Sequence, residues 1–319
     1  MGDTRSHIPL YERSPLYQLI FSLLIVSGVG FILFSAFLFA GTYIYNSKIE
    51  LLENPSLAIN GNEIAFLRYV LIFQHISLFV IPAIILLSKF KPVQRTGFRD
   101  MKIPPIKEMG LVIILAFCIF PITNFAGQLN SGMHLPDWLS GVERWMIKKE
   151  ESATSLFDAI MTPSGFGSMI MNLLMIAALP AIGEELIFRG IFQKILYKLF
   201  NSGNLAVWIT AFIFSFLHFQ FFGFVPRFIL GLVFGYLFYW SRTLWLPIIA
   251  HFVNNAVPVI EVYIQGWDNY KGFHDIPLWK LINGLPIPLL ISILIFSYFR
   301  NKSKRIAKAG TDNFQLTDT

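Results

Sequence analysis

Three apolar stretches in the second half of the chain carry the side chains whose types and spacing could do chemistry. In chain order they hold Glu184, Glu185 and Arg189, then His218, and then His251 and Asn255. A carboxylate beside an imidazole can deprotonate a water molecule and later protonate a leaving amine. A second imidazole and an amide side chain can donate hydrogen bonds to a developing oxyanion. Together these side chains suit hydrolysis of an amide bond.

The spacing within each stretch predicts which side chains share a helix face. Glu185 and Arg189 are four residues apart and can pair, and His251 and Asn255 have the same spacing. Glu184 lies about 100° round the helix from Glu185, so we expect it to point elsewhere. At about 1.5 Å of helix rise per residue, Glu184 and His251 come out at one depth, roughly 15 Å from the cytoplasmic basic residues.

The composition places these residues in a membrane. Hydrophobic residues make up 55% of the 319 residues, charged residues only 14%, and the mean hydropathy is +0.60. Charged side chains could not cover so much apolar surface in water, which excludes a soluble, disordered or disulfide-rich protein. Cys118 is the only cysteine, so neither an intramolecular disulfide nor a cysteine-based zinc site can form. An ionisable group at bilayer depth is costly and therefore marks function.

Eight runs are apolar enough to cross a bilayer core about 30 Å thick, although the sixth and eighth are short. They are Tyr17–Phe39, Ile64–Ser88, Met109–Leu129, Gly167–Leu186, Leu205–Phe222, Arg227–Trp240, Leu244–Ile264 and Leu285–Phe299. The sequence therefore predicts an all-α, polytopic membrane protein with about eight transmembrane helices.

Basic residues concentrate in alternate loops, which predicts the orientation of the chain. One such loop follows the second span at 89–107, and another follows the fourth span with Arg189, Lys194 and Lys198. Because cytoplasmic loops are the basic ones, both termini are expected to face the cytoplasm, and the membrane of a bacterial protein would be the plasma (inner) membrane. These charges are interpreted as orientation signals, and no nucleic acid is expected as a partner.

Four regions are predicted along the chain. Residues 1–129 hold the first three transmembrane helices, and residues 130–164 form an extracytoplasmic loop or an interfacial helix. Residues 165–300 form the catalytic transmembrane core, and residues 301–319 form a basic, disordered cytoplasmic tail.

Two further patterns are interpreted as packing features. Arg68 and His75 share one face of the second span, and we interpret them as a polar contact between helices, the alternative being a cavity lining. Gly231 and Gly235 form a small-xxx-small pattern in the sixth span, interpreted as internal helix packing and not as a dimer interface.

The three chemical motifs resemble those of a known family, the CPBP (CAAX protease and bacteriocin-processing, or Abi) intramembrane proteases. The matching residues are Glu184-Glu185-x-x-x-Arg189, Phe214-x-x-x-His218 and His251-x-x-x-Asn255, in order on successive apolar helices. The resemblance covers roughly Gly167 to Val259.

The resemblance implies a CAAX-protease-like bundle of eight helices with a cavity open to the cytoplasm. It implies that Glu184 and His218 activate the attacking water. His251 and Asn255 would stabilise the oxyanion. Three further residues would shape the site or orient the substrate, namely Glu185, Arg189 and Phe214.

The resemblance favours hydrolysis without a metal, so no cofactor is expected. Zinc is the alternative that spacing does not separate, with Glu184, His218 and His251 as ligands, since two histidines and a carboxylate are a known catalytic set. The helical His-Glu-x-x-His signature of many zinc proteases is absent.

The expected partners are the lipid bilayer and a membrane-associated protein or peptide substrate. The sequence leaves open the identity of the substrate, its prenylation and the oligomeric state. It also leaves open two other functions. In a proton-coupled transporter Glu184, His218 and His251 would form a relay, and in a non-catalytic scaffold or immunity protein the motif would serve packing.

Overall fold

The computed structural model describes residues 9–58, 60–90, 101–161, 165–266 and 277–308. Throughout these residues every regular element is a helix. Six of the described helices are long and apolar enough to cross a membrane, and a seventh span results if one bent pair of helices near the C-terminus is counted as one. The prediction of an all-α, multi-pass integral membrane protein is confirmed.

The principal helices coincide with the predicted spans. In chain order they are α1 (Pro15–Tyr45), α2 (Gly61–Lys89), α3 (Ile106–Ser131), α4 (Ser140–Met161), α5 (Phe166–Phe200), α6 (Gly203–Phe216), α7 (Phe224–Ser241), α8 (Trp245–Gln265), α9 (Leu278–Gly284) and α10 (Pro286–Lys308). Each predicted span corresponds to one of these helices, and α4 and α9 are additional. Helix α6 has only 14 residues, and α9 meets α10 at 42°.

Helix α5 is much longer than the predicted fourth span. It continues past Leu186 to Phe200 and ends at Asn201, which has the left-handed φ of 48° that asparagine tolerates at a helix C-terminus. Arg189 was assigned to a basic cytoplasmic loop, and this assignment is wrong, because its side chain is 0% exposed within the bundle. The helix tolerates this charge because a carboxylate on the preceding turn neutralises it.

Helix α6, in contrast, is shorter than the predicted fifth span. The side chain of Ser202 accepts a hydrogen bond from the N–H of Leu205 and caps the start of the helix. The helix ends at Phe216, and Phe219 has a φ of 53°, which reverses the chain. His218 therefore lies in a turn between α6 and α7, where the prediction had it on a helix face.

Close packing of α6 against α7 depends on the small-residue pattern. A Cβ on Gly231 would lie 2.9 Å from the Cα of Ala211, and one on Gly235 would lie 2.8 Å from a methyl of Val207. The interpretation of these glycines as internal packing residues is confirmed. The two helices approach within a distance that only a missing side chain allows.

The regions outside the central helices are also helical. Helix α4 lies within the region predicted as an extracytoplasmic loop or interfacial helix, and Trp138 just before it is 80% exposed. The side of the membrane on which α4 lies stays a prediction. Helix α10 continues to Lys308, so residues 301–308 of the predicted tail are helical. The basic residues of 91–100 and the rest of the tail, 309–319, lie outside the described residues.

Candidate active site

The two adjacent glutamates lie in the middle of α5, on a helical stretch between two wide π-helical turns. The stretch is Leu179–Ile187, and the wide turns are Leu173–Ala178 and Phe188–Phe192. Such turns insert a residue into a helix and often occur at functional sites. Gly183 lets α5 approach α2 at the same level, since a Cβ there would lie 3.0 Å from the Cβ of Phe79.

Glu185 is the centre of a buried ion pair. Its Oε1 atom accepts hydrogen bonds from Nη1 of Arg189 at 2.7 Å and from Nδ1 of His251 at 2.9 Å. Both carboxylate and guanidinium are 0% exposed. The predicted pairing of Glu185 with Arg189 is confirmed, and it extends to an imidazole on α8.

Arg189 links α5 to two further helices. Its Nη2 atom donates to the carbonyl oxygen of Gly231 on α7 at 2.9 Å. Its guanidinium carbon lies 4.9 Å from the ring centre of Phe214 and 5.4 Å from that of Phe234. Cation–π contacts of this kind gain strength when the cation is desolvated. The Glu185–Arg189 pair therefore joins α5, α6, α7 and α8 around one point.

Glu184 is 6% exposed and lies between two imidazoles. Its Oε2 atom is 3.9 Å from Nε2 of His251, and its Oε1 atom is 3.5 Å from Nε2 of His75 on α2. Within the described part of the chain Oε2 has no hydrogen-bond partner. The expectation that Glu184 points away from Glu185 is wrong in part, because it reaches α2 but also faces the same imidazole as Glu185.

His218 approaches this group from the turn that follows α6. Its Nδ1 atom is 2.7 Å from the carbonyl oxygen of Phe214, and its ring meets the Phe214 ring edge-on at 5.0 Å. The ring of His251 meets Phe214 edge-on as well, at 5.9 Å. His218 interacts electrostatically with both Glu184 and His251. Phe214 thus packs against both imidazoles.

The turn that carries His218 is held by an asparagine from α3. Asn130 is 6% exposed, and its Nδ2 donates to the carbonyl oxygen of Phe221 at 3.0 Å while its Oδ1 accepts from the N–H of Val225 at 2.8 Å. Ser215 adds a bond to the carbonyl oxygen of Phe224 at 2.6 Å. These bonds tie the turn to α3 and to α6, and they give the N–H of Val225, at the start of α7, an acceptor.

The hydrogen bonds of the three histidines determine which ring nitrogen carries the proton. Each Nδ1 lies next to an oxygen that can only accept: the carbonyl of Leu71 at 3.0 Å for His75, the carbonyl of Phe214 for His218, and the carboxylate of Glu185 for His251. Each Nδ1 must therefore be the N–H donor. In the neutral rings the free lone pair is then on Nε2, the atom that faces Glu184 from both His75 and His251.

Asn255 lies one turn beyond His251 on α8 and bonds to the wide turn of α5. Its Nδ2 donates to the carbonyl oxygen of Ile176 at 3.1 Å, and its Oδ1 accepts from Nδ2 of Asn254 at 3.2 Å. A carboxamide has two N–H groups, so one donor beyond the Ile176 bond belongs to this side chain.

The structure thus brings most of the predicted residues together and adds one. Glu184, Glu185, Arg189, Phe214, His218 and His251 form one contiguous group, with Asn255 at its edge. Sequence reasoning missed His75, which was interpreted with Arg68 as a contact between helices. The polar contact between helices is confirmed for both residues, since Nη2 of Arg68 donates to the carbonyl of Ile160 and to Ser168, and His75 reaches Glu184 on α5. His75 could have been found as an ionisable group at bilayer depth.

Among the residues that the structure describes, no three or more His, Cys, Asp or Glu side chains are placed so as to hold a metal ion. The alternative zinc set of Glu184, His218 and His251 stays a prediction.

A bundle of membrane helices with a carboxylate and imidazoles buried at its centre has the side chains that hydrolysis within a membrane would need. Comparison with known proteins agrees. The family model for "Type II CAAX prenyl endopeptidase Rce1-like" proteins matches residues 166–257, which contain all the motif residues. This region of the chain is thus similar to the CPBP, or CAAX protease, family, and the predicted resemblance is confirmed.

Two proteins of Bacillus subtilis (strain 168) resemble the chain. The "Putative membrane peptidase YdiL" is 24% identical over 214 residues, which are 67% of this chain and 79% of YdiL. The "Uncharacterized protein YpbD" is 27% identical over 100 residues, 30% of this chain, so that the match spans about half (48%) of YpbD. No solved structure matches the chain significantly.

Proposed function

We propose that the protein is an intramembrane endopeptidase that hydrolyses a peptide bond of a membrane-associated protein or peptide. The observation that carries the proposal is the position of Glu184, whose carboxylate lies between the Nε2 atoms of His75 and His251, inside the region that matches the CAAX-protease family. A relay for protons would need the same residues, but the family match favours hydrolysis.

Water activation falls to Glu184 and His218. The Oε2 atom of Glu184 has no hydrogen-bond partner in the described part of the chain, so it is able to accept a proton from a water molecule. His218 has its lone pair on Nε2 because Nδ1 donates to the carbonyl oxygen of Phe214. Nε2 can therefore accept a hydrogen bond from the second O–H of that water. The hydroxide that forms attacks the substrate carbonyl, and Glu184 returns its proton to the leaving amine.

Oxyanion stabilisation falls to His251 and Asn255. Nδ1 of His251 donates to the Glu185 carboxylate, so a second proton on the ring is carried by Nε2, whose N–H can then donate to the oxyanion. The second N–H of the Asn255 carboxamide is the other donor. Donors fixed in a water-poor site often make the largest single contribution to catalysis.

The substrate class follows from the setting of the site. The catalytic group is buried among membrane helices, so the scissile bond must belong to a chain that enters the bilayer or is anchored to it. The family description names prenyl endopeptidases, and a prenylated cysteine is one such anchor. The basic loops support an orientation with both termini in the cytoplasm, and the membrane would be the plasma (inner) membrane in a bacterium.

Quantitative proteomics of protein termini in membranes tests the proposal. Cells that express the wild-type protein are compared with cells that express Glu184→Gln, which keeps the shape of the side chain and removes the base. We expect new termini that depend on Glu184, and we expect Glu143→Gln, on α4 and paired with His134, to leave them unchanged. Equal sets of termini with wild-type and Glu184→Gln proteins, at equal expression, would rule out the peptidase. Proton or solute flux lost in the same variant would then support a transporter.

A further inference from the structure

His75 contacts the proposed base from a helix that contributes none of the family motifs. It lies on α2, and its Nε2 atom is 3.5 Å from Oε1 of Glu184, with the two side chains 17% and 8% exposed. We propose that His75 is a positioning residue, which holds the Glu184 carboxylate in the orientation that directs Oε2 at the attacking water. The inference rests on the proposed peptidase function and extends it to the first half of the chain.

The ring of His75 is itself held in place. Its Nδ1–H donates to the carbonyl oxygen of Leu71, one turn earlier on α2, at 3.0 Å. The ring packs on Phe79 at 5.7 Å between ring centres. Directly after His75 the helix widens into the π-helical turn Ile76–Val80. Because Nδ1 donates to the backbone, Nε2 is the ring nitrogen available for a contact with α5.

The distance between the two helices is also held at this level. Gly183, the residue before Glu184, has no side chain to separate α5 from Phe79 and Val80 of α2. The approach is close enough that even a methyl group would be crowded, at 3.0 Å from Phe79 and 3.3 Å from Val80. His75 and Glu184 therefore meet because a glycine beside the glutamate lets the backbones come together.

His75 can form a hydrogen bond with Glu184 whether the Glu184 carboxyl group is ionised or protonated. Before water is activated, a protonated His75 ring donates from Nε2 to the carboxylate. Once Oε2 of Glu184 has taken the proton of the water, Oε1 is still an acceptor, so the same Nε2–H of His75 continues to hold the carboxyl group. Without this contact the carboxylate is free to rotate toward His251, and the water loses its aligned base. A misplacement of about 1 Å can cost about 100-fold in rate.

The contact differs from the purely structural one made by Arg68 on the same helix face. Arg68 ends on a backbone carbonyl and a serine hydroxyl at 2.9 and 2.6 Å, away from the catalytic group. His75 instead ends on the carboxylate that the proposed chemistry uses. Replacement of His75 should therefore lower the turnover number, whereas replacement of Arg68 should lower the stability of the fold.

Kinetics of His75 variants test the proposal. The probe is an internally quenched peptide that spans the most abundant cleavage site dependent on Glu184, assayed with the full-length protein in lipid nanodiscs. We expect His75→Leu to lower kcat about 100-fold with little change in KM. His75→Gln should recover at least about one tenth of the wild-type kcat, because its amide N–H can reach Oε1. His134→Gln, an exposed histidine on the surface, should have no effect.

Three results would overturn the proposal. The first is a wild-type kcat in His75→Leu. The second is a loss of kcat in His75→Leu that is equally large in His75→Gln. The third is a loss of kcat accompanied by a matching fall in the melting temperature. The second and third results would both indicate that His75 serves packing alone. The failure of the peptidase function itself would look different, because no cleavage site would then depend on Glu184 in the proteomic comparison.

Discussion

Nδ1 of His251 lies 2.9 Å from Oε1 of Glu185, although the neighbouring Glu184 faces the other nitrogen of the same ring. Two adjacent glutamates thus meet opposite edges of one imidazole. On Glu185 the Oε1 atom accepts short hydrogen bonds from both His251 and Arg189, whereas the two oxygens of Glu184 lie 3.5 and 3.9 Å from Nε2 atoms of His75 and His251. This asymmetry separates their proposed roles, one orienting the imidazole and the other acting as base.

Replacement of Glu185 by glutamine should impair turnover more than its conservative shape suggests. A carboxamide carries no negative charge, so it no longer balances a charged His251 ring in which Nδ1–H is held and Nε2–H donates to the oxyanion. We expect kcat/KM to fall by at least about 100-fold, measured on the quenched peptide. A variant that keeps wild-type kcat/KM would show that the Glu185–His251 bond has no catalytic importance.

Arg189 should be the most sensitive position for stability. Arg189→Met leaves the Glu185 carboxylate buried and without its cation, a change that typically costs about 3–5 kcal/mol. Unfolding of the purified protein in mixed detergent micelles measures the loss. The double variant Arg189→Met with Glu185→Leu should recover part of it, because the uncompensated charge is gone. Additive losses in the double variant would contradict this explanation.

Asn130 should act on the turn that carries His218. Asn130→Ala removes bonds to Phe221 and Val225 and leaves the part-buried N–H of Val225 without its acceptor, at a cost of about 1–3 kcal/mol. Because His218 moves with the turn, we also expect about a ten-fold lower kcat. Ser131→Ala, which removes only a bond to Gln128 within α3, is the matched control. Equal behaviour of the two variants would show that the turn does not depend on Asn130.

Gly231 should not tolerate a larger side chain. In Gly231→Val the side chain would enter the space of Ala211, 2.9 Å from the position of a Cβ, and the carbonyl that binds Arg189 would shift with it. We expect a loss of about 1–3 kcal/mol in unfolding free energy. Gly110→Val is the comparison, because nothing lies within 4 Å of its Cβ position. A Gly231→Val protein as stable as Gly110→Val would argue against close packing there.

Chelation should leave peptide hydrolysis unchanged. We expect full turnover after treatment with 1,10-phenanthroline and no stoichiometric metal in the purified protein by mass spectrometry. Activity that is lost on chelation and restored by Zn²⁺ would instead assign Glu184, His218 and His251 to a zinc centre.

Much of this architecture is predictable from the sequence because apolar length and motif order are strong signals. All eight predicted spans have a matching helix, and the pairing of Glu185 with Arg189 follows from helical spacing alone. The predictions fail at residues whose position depends on contacts between helices that are distant in the sequence. Arg189 looked like a loop charge because spacing cannot show that Gly231, Phe214 and Phe234 enclose it.

The end of α6 was unpredictable for a related reason. Residues 217–222 are mostly apolar and contain neither glycine nor proline, and Gly223 stands only where the turn ends, so the sequence does not mark where the turn begins. The turn exists because Asn130, 91 residues away from Phe221, supplies the missing hydrogen bonds. His75 was overlooked for the same reason, since its partner lies on another helix and no short motif joins the two.

The wide turns on either side of Leu179–Ile187 have a consequence for how this protein tolerates change along its length. Each wide turn contains one residue more than an α-helical turn. The helix can therefore lose that residue without rotating the segment Leu179–Ile187. We therefore expect a one-residue deletion within either wide turn to restore α-helical winding there and to leave Glu184 and Glu185 facing the same partners. The register of the glutamates would then not depend on how the ends of α5 are anchored in the lipid.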